Sequence, residues 1–207
     1  VRGNLGVAIH AIGDRAVRVA LDAIAATKAR TNTSRRFRLE HVQLIDSADV
    51  ERMATLGVVA SVQPFHAVSD RDVAERLWGD RIARAYAYAT LADAGVPVVL
   101  GSDVPIETAD PWRIIHAAVA RTDDAPPHRP AWHPEQALSL ARALWGYTAG
   151  PAWAAGEEAH AGRLVPGALA DCLILPEEPT RLALSELARF MPEMVFVGGR
   201  LVNGEHA

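Results

Sequence analysis

The sequence has one cysteine, Cys172, among 207 residues. A single thiol excludes an internal disulfide framework and any cysteine-rich zinc module. The chain also lacks an excess of positive charge, with 21 Lys and Arg against 25 Asp and Glu and a net charge of −4. This balance gives no cationic surface for nucleic acid or an anionic membrane. Apolar runs long enough to cross a bilayer and a signal-peptide pattern are also missing, so we expect a soluble, cytoplasmic protein.

Two motifs of common enzyme classes are absent as well. There is no G-x-S-x-G nucleophile elbow, which argues against a serine hydrolase of that type. There is no G-x-G-x-x-G after a predicted strand, which argues against dinucleotide binding. Cys172 lies in an apolar strand-like segment, where a buried and inert thiol is expected. The 50% hydrophobic content excludes disorder and is enough to build a core.

Short apolar runs alternate with amphipathic helical stretches along the first three-quarters of the chain. Strands are predicted over residues 5–9, 37–42, 58–62 and 96–100. A first helix is predicted with Asp14 as its cap, and a second with Asp46 or Ser47 as its cap and Gly57 at its end. Three more helices are predicted over 81–94, 112–121 and 134–146. Repeated strand–helix units of this kind indicate an α/β fold with a parallel sheet.

The pattern changes near Gly156, after which turn-rich and strand-like segments dominate. Strands are predicted over 170–175 and 194–202, with a turn at Gly198 and Gly199. We therefore predict a catalytic α/β part over residues 1–155 and a small β unit over residues 156–207.

Three polar residues fall at or just beyond the ends of predicted strands: His10, His41 and Asp103. The carboxyl ends of parallel strands meet at one edge of a sheet or barrel, where active sites are assembled. Two imidazoles and a carboxylate suit a divalent metal such as zinc. A single histidine is more often a structural residue than a ligand, but three separate strand ends favour a metal site. His66 follows the third strand and is a candidate for contacting substrate or supporting a ligand.

Four segments in this order resemble the amidohydrolase superfamily, and within it amidohydrolase family 3, the YtcJ-like and N-substituted formamide deformylase-like group. They are AIHAIGDRAV (8–17), RLEHVQ (38–43), SVQP (61–64) and GSDVP (101–105). The tail segment GRLVPGALAD (162–171) is similar to the G-x-L-x-P-G-x-x-A-D segment that closes many of these enzymes. The resemblance extends over nearly the whole chain.

The resemblance implies a metal-dependent hydrolase with a TIM (β/α)₈ barrel and a small β-sandwich. His10 would be the ligand from barrel strand 5 and His41 the ligand from strand 6. Asp103 would be the strand-8 carboxylate, acting as a ligand and as the general base toward water. Glu40 and Gln63 match family positions and are expected to contact substrate or to support the ligands. One or two divalent ions, zinc by this resemblance, and a small-molecule substrate are implied.

Two family features are missing from the sequence. The family has a His-x-His pair after its first barrel strand, and a lysine or acidic metal bridge near strand 4. This chain has no His-x-His, and its only lysine, Lys28, is placed within a helix after strand 5. We therefore expect the C-terminal half of the barrel, strands 5–8, in a chain that opens at Val1 rather than Met.

The substrate stays open at this point, with amides, N-acyl compounds, formamides, cyclic amides or amidines, dipeptides and esters as candidates. A different interpretation is a catalytically incompetent fragment or assembly module. Such a half-barrel could persist as a homodimer through its strand edges, by rearranging, or beside a separate N-terminal half.

Overall fold

Four parallel strands form the main sheet, and they are neighbours in chain order. A computed structural model describes residues 6–31, 33–123, 125–126 and 128–204. The strands are β1 (Val7–Ala11), β2 (Phe37–His41), β3 (Val59–Val62) and β4 (Val98–Leu100), in the order β1-β2-β3-β4. The predicted parallel sheet is confirmed, and Leu5, where the first predicted strand begins, lies outside the described residues.

Helices connect the strands and continue beyond the fourth. In the described part of the chain, the α-helices are α1 (Asp14–Arg30), α2 (Ser47–Thr55), α3 (His66–Ser69), α4 (Arg71–Trp78), α5 (Tyr88–Asp93), α6 (Pro111–Ala120), α7 (Leu140–Tyr147), α8 (Ala149–Ala155) and α9 (Leu184–Leu187). Short 3₁₀ turns cover Gly79–Arg84, Pro134–Gln136 and Pro179–Arg181. None of the helices within the described ranges combines the length and apolar character that crossing a membrane requires.

Alternate residues of the strands point to two different faces of the sheet. One face packs against the helices and forms the core, which includes Phe37, Leu39, Ala60, Val62, Val98 and Leu100. The other face carries residues paired in register from strand to strand: His10 with Glu40, Glu40 with Ser61, and Ser61 with Val99. This second face is the one that a closed (β/α)₈ barrel turns inward.

Two predicted helices differ from those observed. The helix expected over 81–94 is interrupted: a 3₁₀ turn ends at Arg84, α5 begins at Tyr88, and between them the backbone N–H of Tyr86 donates to the carbonyl of Gln43 at 2.7 Å. Tyr86 has a φ of +49°, which no α-helix can contain. The helix expected over 134–146 begins only at Leu140, because Ser139 accepts a bond from the Arg142 N–H and caps it there.

Of the caps predicted for the first two helices, the one for α2 is observed and the one for α1 is not. Asp46 accepts a hydrogen bond from the Ala48 N–H and caps α2, as predicted. The prediction that Asp14 caps α1 is wrong, because Gly13 occupies the cap position and Asp14 is the first helical residue. The Asp14 carboxylate instead lies 3.5 Å from Arg81.

A second sheet follows the α/β part. It contains β5 (Cys172–Ile174), β6 (Met194–Val197) and β7 (Arg200–Asn203), paired antiparallel in that order. Leu173 and Ile174 are successive residues and therefore point to opposite faces, yet both are about half exposed. Neither face of this sheet is fully covered by the described residues, and Cys172 is only partly buried.

We expect truncation of a core leucine to destabilise the chain much more than truncation of an exposed one. Leu21 in α1 is 0% exposed and Leu77 in α4 is 62% exposed. Leu21→Ala should lower the free energy of unfolding in urea by roughly 2–5 kcal/mol. Leu77→Ala, which removes the same atoms, should stay within about 0.5 kcal/mol of wild type. Equal effects would show that α1 does not pack on the sheet as described.

An ion pair gives a second prediction, for acidic pH. Arg36 Nη2 lies 2.5 Å from Glu158 Oε1, and the guanidinium of Arg36 covers the ring of Trp153. Hydrogen bonds from Arg36, and then from the backbone, lower the pKa of Glu158 from 4.5 to about 2. A lowered pKa means that the contribution to stability is complete above pH 4.5 and is lost as the pH falls toward 2.

Glu158→Gln should therefore make the free energy of unfolding less dependent on pH between those two values. Urea titrations at several pH values measure the slope, and Glu157→Gln at the exposed neighbouring position is the control. A slope that Glu158→Gln leaves unchanged would contradict the assigned ion pair.

Candidate metal centre

The candidate site lies where the carboxyl ends of the parallel strands meet. His10 is in β1 and His41 is the last residue of β2. His66 begins α3, shortly after β3, and Asp103 follows β4 by three residues. Because the four strands run in one direction, all four side chains are carried to the same edge of the sheet.

The backbone turns sharply at two of these positions. His41 and Val42 have φ values of +76° and +47°, and Asp103 has a φ of +60°. The left-handed region is uncommon for residues other than glycine, and especially for a β-branched residue such as valine. The turn after β2 is held by the Val42 N–H, which donates to the Ala11 carbonyl at 3.0 Å. The end of β2 is thus tied to the end of β1, which brings His41 beside His10.

The side chains form a compact group. The ring centroids of His10 and His41 are 4.5 Å apart, and those of His41 and His66 are 5.9 Å apart. His66 Nε2 lies 3.1 Å from Asp103 Oδ2. One potential ligand atom each from His41, His66 and Asp103 lies within 4.8 Å of the others. This separation allows three ligands to surround a single ion.

Burial keeps His41 suitable as a ligand. Burial is the main cause that lowers the pKa of His41, and the neighbouring His10 adds to the shift. His41 Nδ1 is buried and has no hydrogen-bond partner among the described residues. A buried polar atom without a partner is costly, and a metal ion could satisfy it. The donor set of two imidazoles and one carboxylate therefore fits a divalent metal such as zinc.

The structure groups the predicted ligands somewhat differently from the sequence pattern. His41 and Asp103 belong to the three-residue group, while His10 contacts His41 from the side and the third potential ligand atom belongs to His66. The assignment of His10, His41 and Asp103 as ligands stays a prediction. The position of His66 just past the end of β3 is the signal in the sequence that indicates a place beside His41 and Asp103.

Glu40 and Gln63 lie next to this group. Glu40 forms an ion pair with Arg38, two residues earlier on the same face of β2. Gln63 is 6% exposed, and its Nε2 donates to the Ser61 carbonyl at 3.4 Å. Gln63 Oε1 is buried without a partner among the described residues. Roles in supporting the ligands or contacting substrate stay predictions for both residues.

Comparison with known proteins identifies the family. A sequence model described as the amidohydrolase family matches residues 2–203. The chain belongs to this family. The resemblance inferred from its motifs is therefore confirmed.

Individual relatives agree with the assignment. The chain is 38% identical to Protein LONG AFTER FAR-RED 3 of Arabidopsis thaliana, over 84% of this chain and 30% of that protein. It is 31% identical to N-substituted formamide deformylase of Arthrobacter pascens, over 96% of this chain and 36% of that protein. The chain thus spans about a third of the length of these relatives.

A solved structure resembles the fold. An uncharacterized metal-dependent hydrolase from Pyrococcus horikoshii OT3 aligns with a TM-score of 0.75 and 35% identity, over 87% of this chain and 35% of that one. The predicted fold class, the strand 5–8 half of a TIM barrel followed by part of a small β unit, is confirmed.

Removal of a site ligand should abolish tight metal binding. We expect His41→Ala to weaken zinc binding by more than the roughly 10- to 100-fold typical of losing an outer hydrogen-bond partner. Competition with a chromogenic chelator measures the affinity. His133→Ala, which removes a histidine that pairs with Glu135 in a separate loop, should bind zinc like wild type. Equal affinities of all three proteins would contradict the site.

Proposed function

We propose that the full-length protein containing this chain is a metal-dependent amidohydrolase that cleaves the C–N bond of an amide, N-acyl or formamide-type substrate. The observation that carries the proposal is the group of His41, His66 and Asp103 at the carboxyl edge of a parallel sheet in a member of the amidohydrolase family. The name of the Arthrobacter pascens relative, N-substituted formamide deformylase, supports this class of substrate.

The residues of this chain would have the following roles in the reaction. A divalent ion, when bound, would polarise the substrate carbonyl and make a water at the site more acidic. His41 and the neighbouring imidazoles would hold the ion. Asp103 accepts the proton of the attacking water as the new C–O bond forms. It then delivers that proton to the nitrogen as the C–N bond breaks, so the products are a carboxylic acid and an amine.

Asp103 has the position that this role requires. It lies three residues beyond β4 and its side chain is about one-third exposed, so both water and substrate can reach it. One carboxylate oxygen faces His66 Nε2 at 3.1 Å. The other oxygen is available to a metal ion or a reacting water.

Asp103→Asn tests the proposed base. In the full-length protein, we expect kcat/KM toward N-substituted formamides to fall by roughly 10²- to 10⁴-fold, the contribution typical of a general base. Asp72→Asn, at an exposed position of α4 that pairs with Arg129, should leave the rate unchanged. A fully active Asp103→Asn protein would contradict the mechanism.

A second candidate is a catalytically incompetent fragment or assembly module. The observation that favours it is that the chain covers only 30–36% of the relatives named above. We propose that the 207-residue chain alone is inactive or nearly so, and that the sheet face carrying His10, Glu40 and Ser61 is completed either by a preceding N-terminal half or by a second copy.

Two measurements on the purified 207-residue chain separate these cases. Light scattering after size exclusion reports whether it is a monomer or a homodimer. Metal-dependent turnover of a formamide that Asp103→Asn abolishes would overturn the proposal that the chain alone is inactive.

A further inference from the structure

The three residues that follow the proposed base Asp103 are all apolar: Val104, Pro105 and Ile106. All three are exposed, Val104 by 58% and Ile106 by 70%. Single apolar residues are common on protein surfaces, whereas contiguous ones mark places where a ligand or a partner binds. The position of this apolar segment, residues 104–106, relative to Asp103 indicates which of the two it is.

Both ends of the apolar segment are held against His66. On one side of the ring, Asp103 Oδ2 lies 3.1 Å from Nε2. On the other side, Glu107 Oε1 lies 3.4 Å from Nδ1 and also accepts a hydrogen bond from the Ser69 hydroxyl. Because Asp103 and Glu107 contact the same ring, the residues between them lie at the edge of the candidate metal centre. The Glu107 side chain is only 14% exposed, so the side chains that reach solvent between the two contacts are apolar.

A tight turn brings Ile106 back toward Asp103. The Ile106 N–H donates to the Asp103 carbonyl at 2.9 Å, and the Val104 N–H donates to the Ser102 hydroxyl at 3.3 Å. A hydrogen bond between residues three apart closes a β-turn, whose first and last Cα atoms lie within about 7 Å. Ile106 therefore stays beside the proposed base.

The proposed reaction places the leaving nitrogen next to this turn. The substrate carbonyl belongs on the side of His41 and the neighbouring imidazoles, whereas Asp103 must deliver a proton to the nitrogen. Such a transfer requires the nitrogen to lie within roughly 2.6–3.2 Å of a carboxylate oxygen. A substituent on that nitrogen then extends over the residues next to Asp103, where a hydrocarbon group would remove apolar surface from water.

We propose that Val104 and Ile106 are specificity-determining residues that pack against an apolar substituent on the leaving nitrogen of the substrate. The inference rests on the proposed amidohydrolase function and assigns N-alkyl and N-aryl amides or formamides as its substrate class. A formyl group has no side chain to recognise, so in a formamide the nitrogen substituent supplies the apolar surface for binding.

Two pairs of substrates distinguish the amine side from the acyl side in the zinc-loaded, full-length protein. N-butylformamide has three more methylenes on the nitrogen than N-methylformamide, and N-methylpentanamide has three more on the acyl group than N-methylacetamide. Complete burial of one methylene strengthens binding roughly fourfold. Because the apolar segment covers only part of the substituent, we expect kcat/KM to rise roughly 10-fold from N-methylformamide to N-butylformamide.

The double variant Val104→Thr with Ile106→Thr introduces hydroxyl groups into the apolar segment without adding charge. It should reduce the preference for N-butylformamide to about twofold and leave kcat/KM for N-methylformamide unchanged. The matched control, Val19→Thr, makes the same change at a 60% exposed position of α1 and should keep the wild-type preference. A double variant that keeps the full preference, or that loses only a preference on the acyl side, would overturn the inference.

Nuclear magnetic resonance detects the contact without catalysis. In metal-free, full-length protein with ¹³C-labelled isoleucine methyl groups, excess N-butylformamide should shift the Ile106 signal, which is assigned by its absence in Ile106→Thr. N-methylformamide should shift this signal less. An Ile106 signal that does not respond to N-butylformamide would contradict the proposed contact. If the double variant also unfolds at a lower temperature than Val19→Thr, another part of the full-length chain covers the apolar segment.

Failure of the proposed function gives a different result from failure of the specificity role. If the zinc-loaded wild-type protein hydrolyses none of the four substrates, the proposed cleavage of C–N bonds fails and this inference fails with it. If it hydrolyses N-methylformamide and N-butylformamide with equal kcat/KM, the hydrolase function stands and only the role of Val104 and Ile106 is wrong.

Discussion

Parallel backbone hydrogen bonding joins β1 to β2, β2 to β3 and β3 to β4. All four strands therefore run in one direction, and their last residues reach one edge of the sheet. His10 and Glu40 occupy the same row of the ladder, and Ser61 continues it on β3. A shift of one residue in this register would turn His10 toward the helices and away from the site. The site therefore depends on strand pairing before it depends on any contact between its own side chains.

Assembling the site has a cost in backbone energy. Left-handed conformations of residues other than glycine are unfavourable by on the order of 1–3 kcal/mol each, and His41, Val42 and Asp103 all adopt them. Hydrogen bonds at the strand ends and the buried core beneath them offset this cost. Strained backbone is common at positions whose geometry serves a site. Outside this edge, Tyr86, Arg121 and His133 also have positive φ values.

Much of the fold could be predicted because apolar periodicity and strand ends are local features of the sequence. His10, His41 and Asp103 could be selected by their distance from a predicted strand end alone. The break in the helix at Tyr86 could not, because it depends on pairing with Gln43, more than 40 residues earlier in the printed sequence. The contact of His66 with Asp103 likewise joins separate elements, and no spacing rule brings them together.

The antiparallel sheet of β5–β7 leaves apolar side chains in contact with water. Leu173 and Ile174 lie on opposite faces of β5, and Val197 and Val202 on the next two strands are more than half exposed. Such surfaces tend to self-associate, and the attraction weakens on cooling and strengthens in sulfate or phosphate salts. The chain should therefore be handled cold, dilute and in chloride buffers, since ammonium sulfate precipitants would favour aggregation through this sheet.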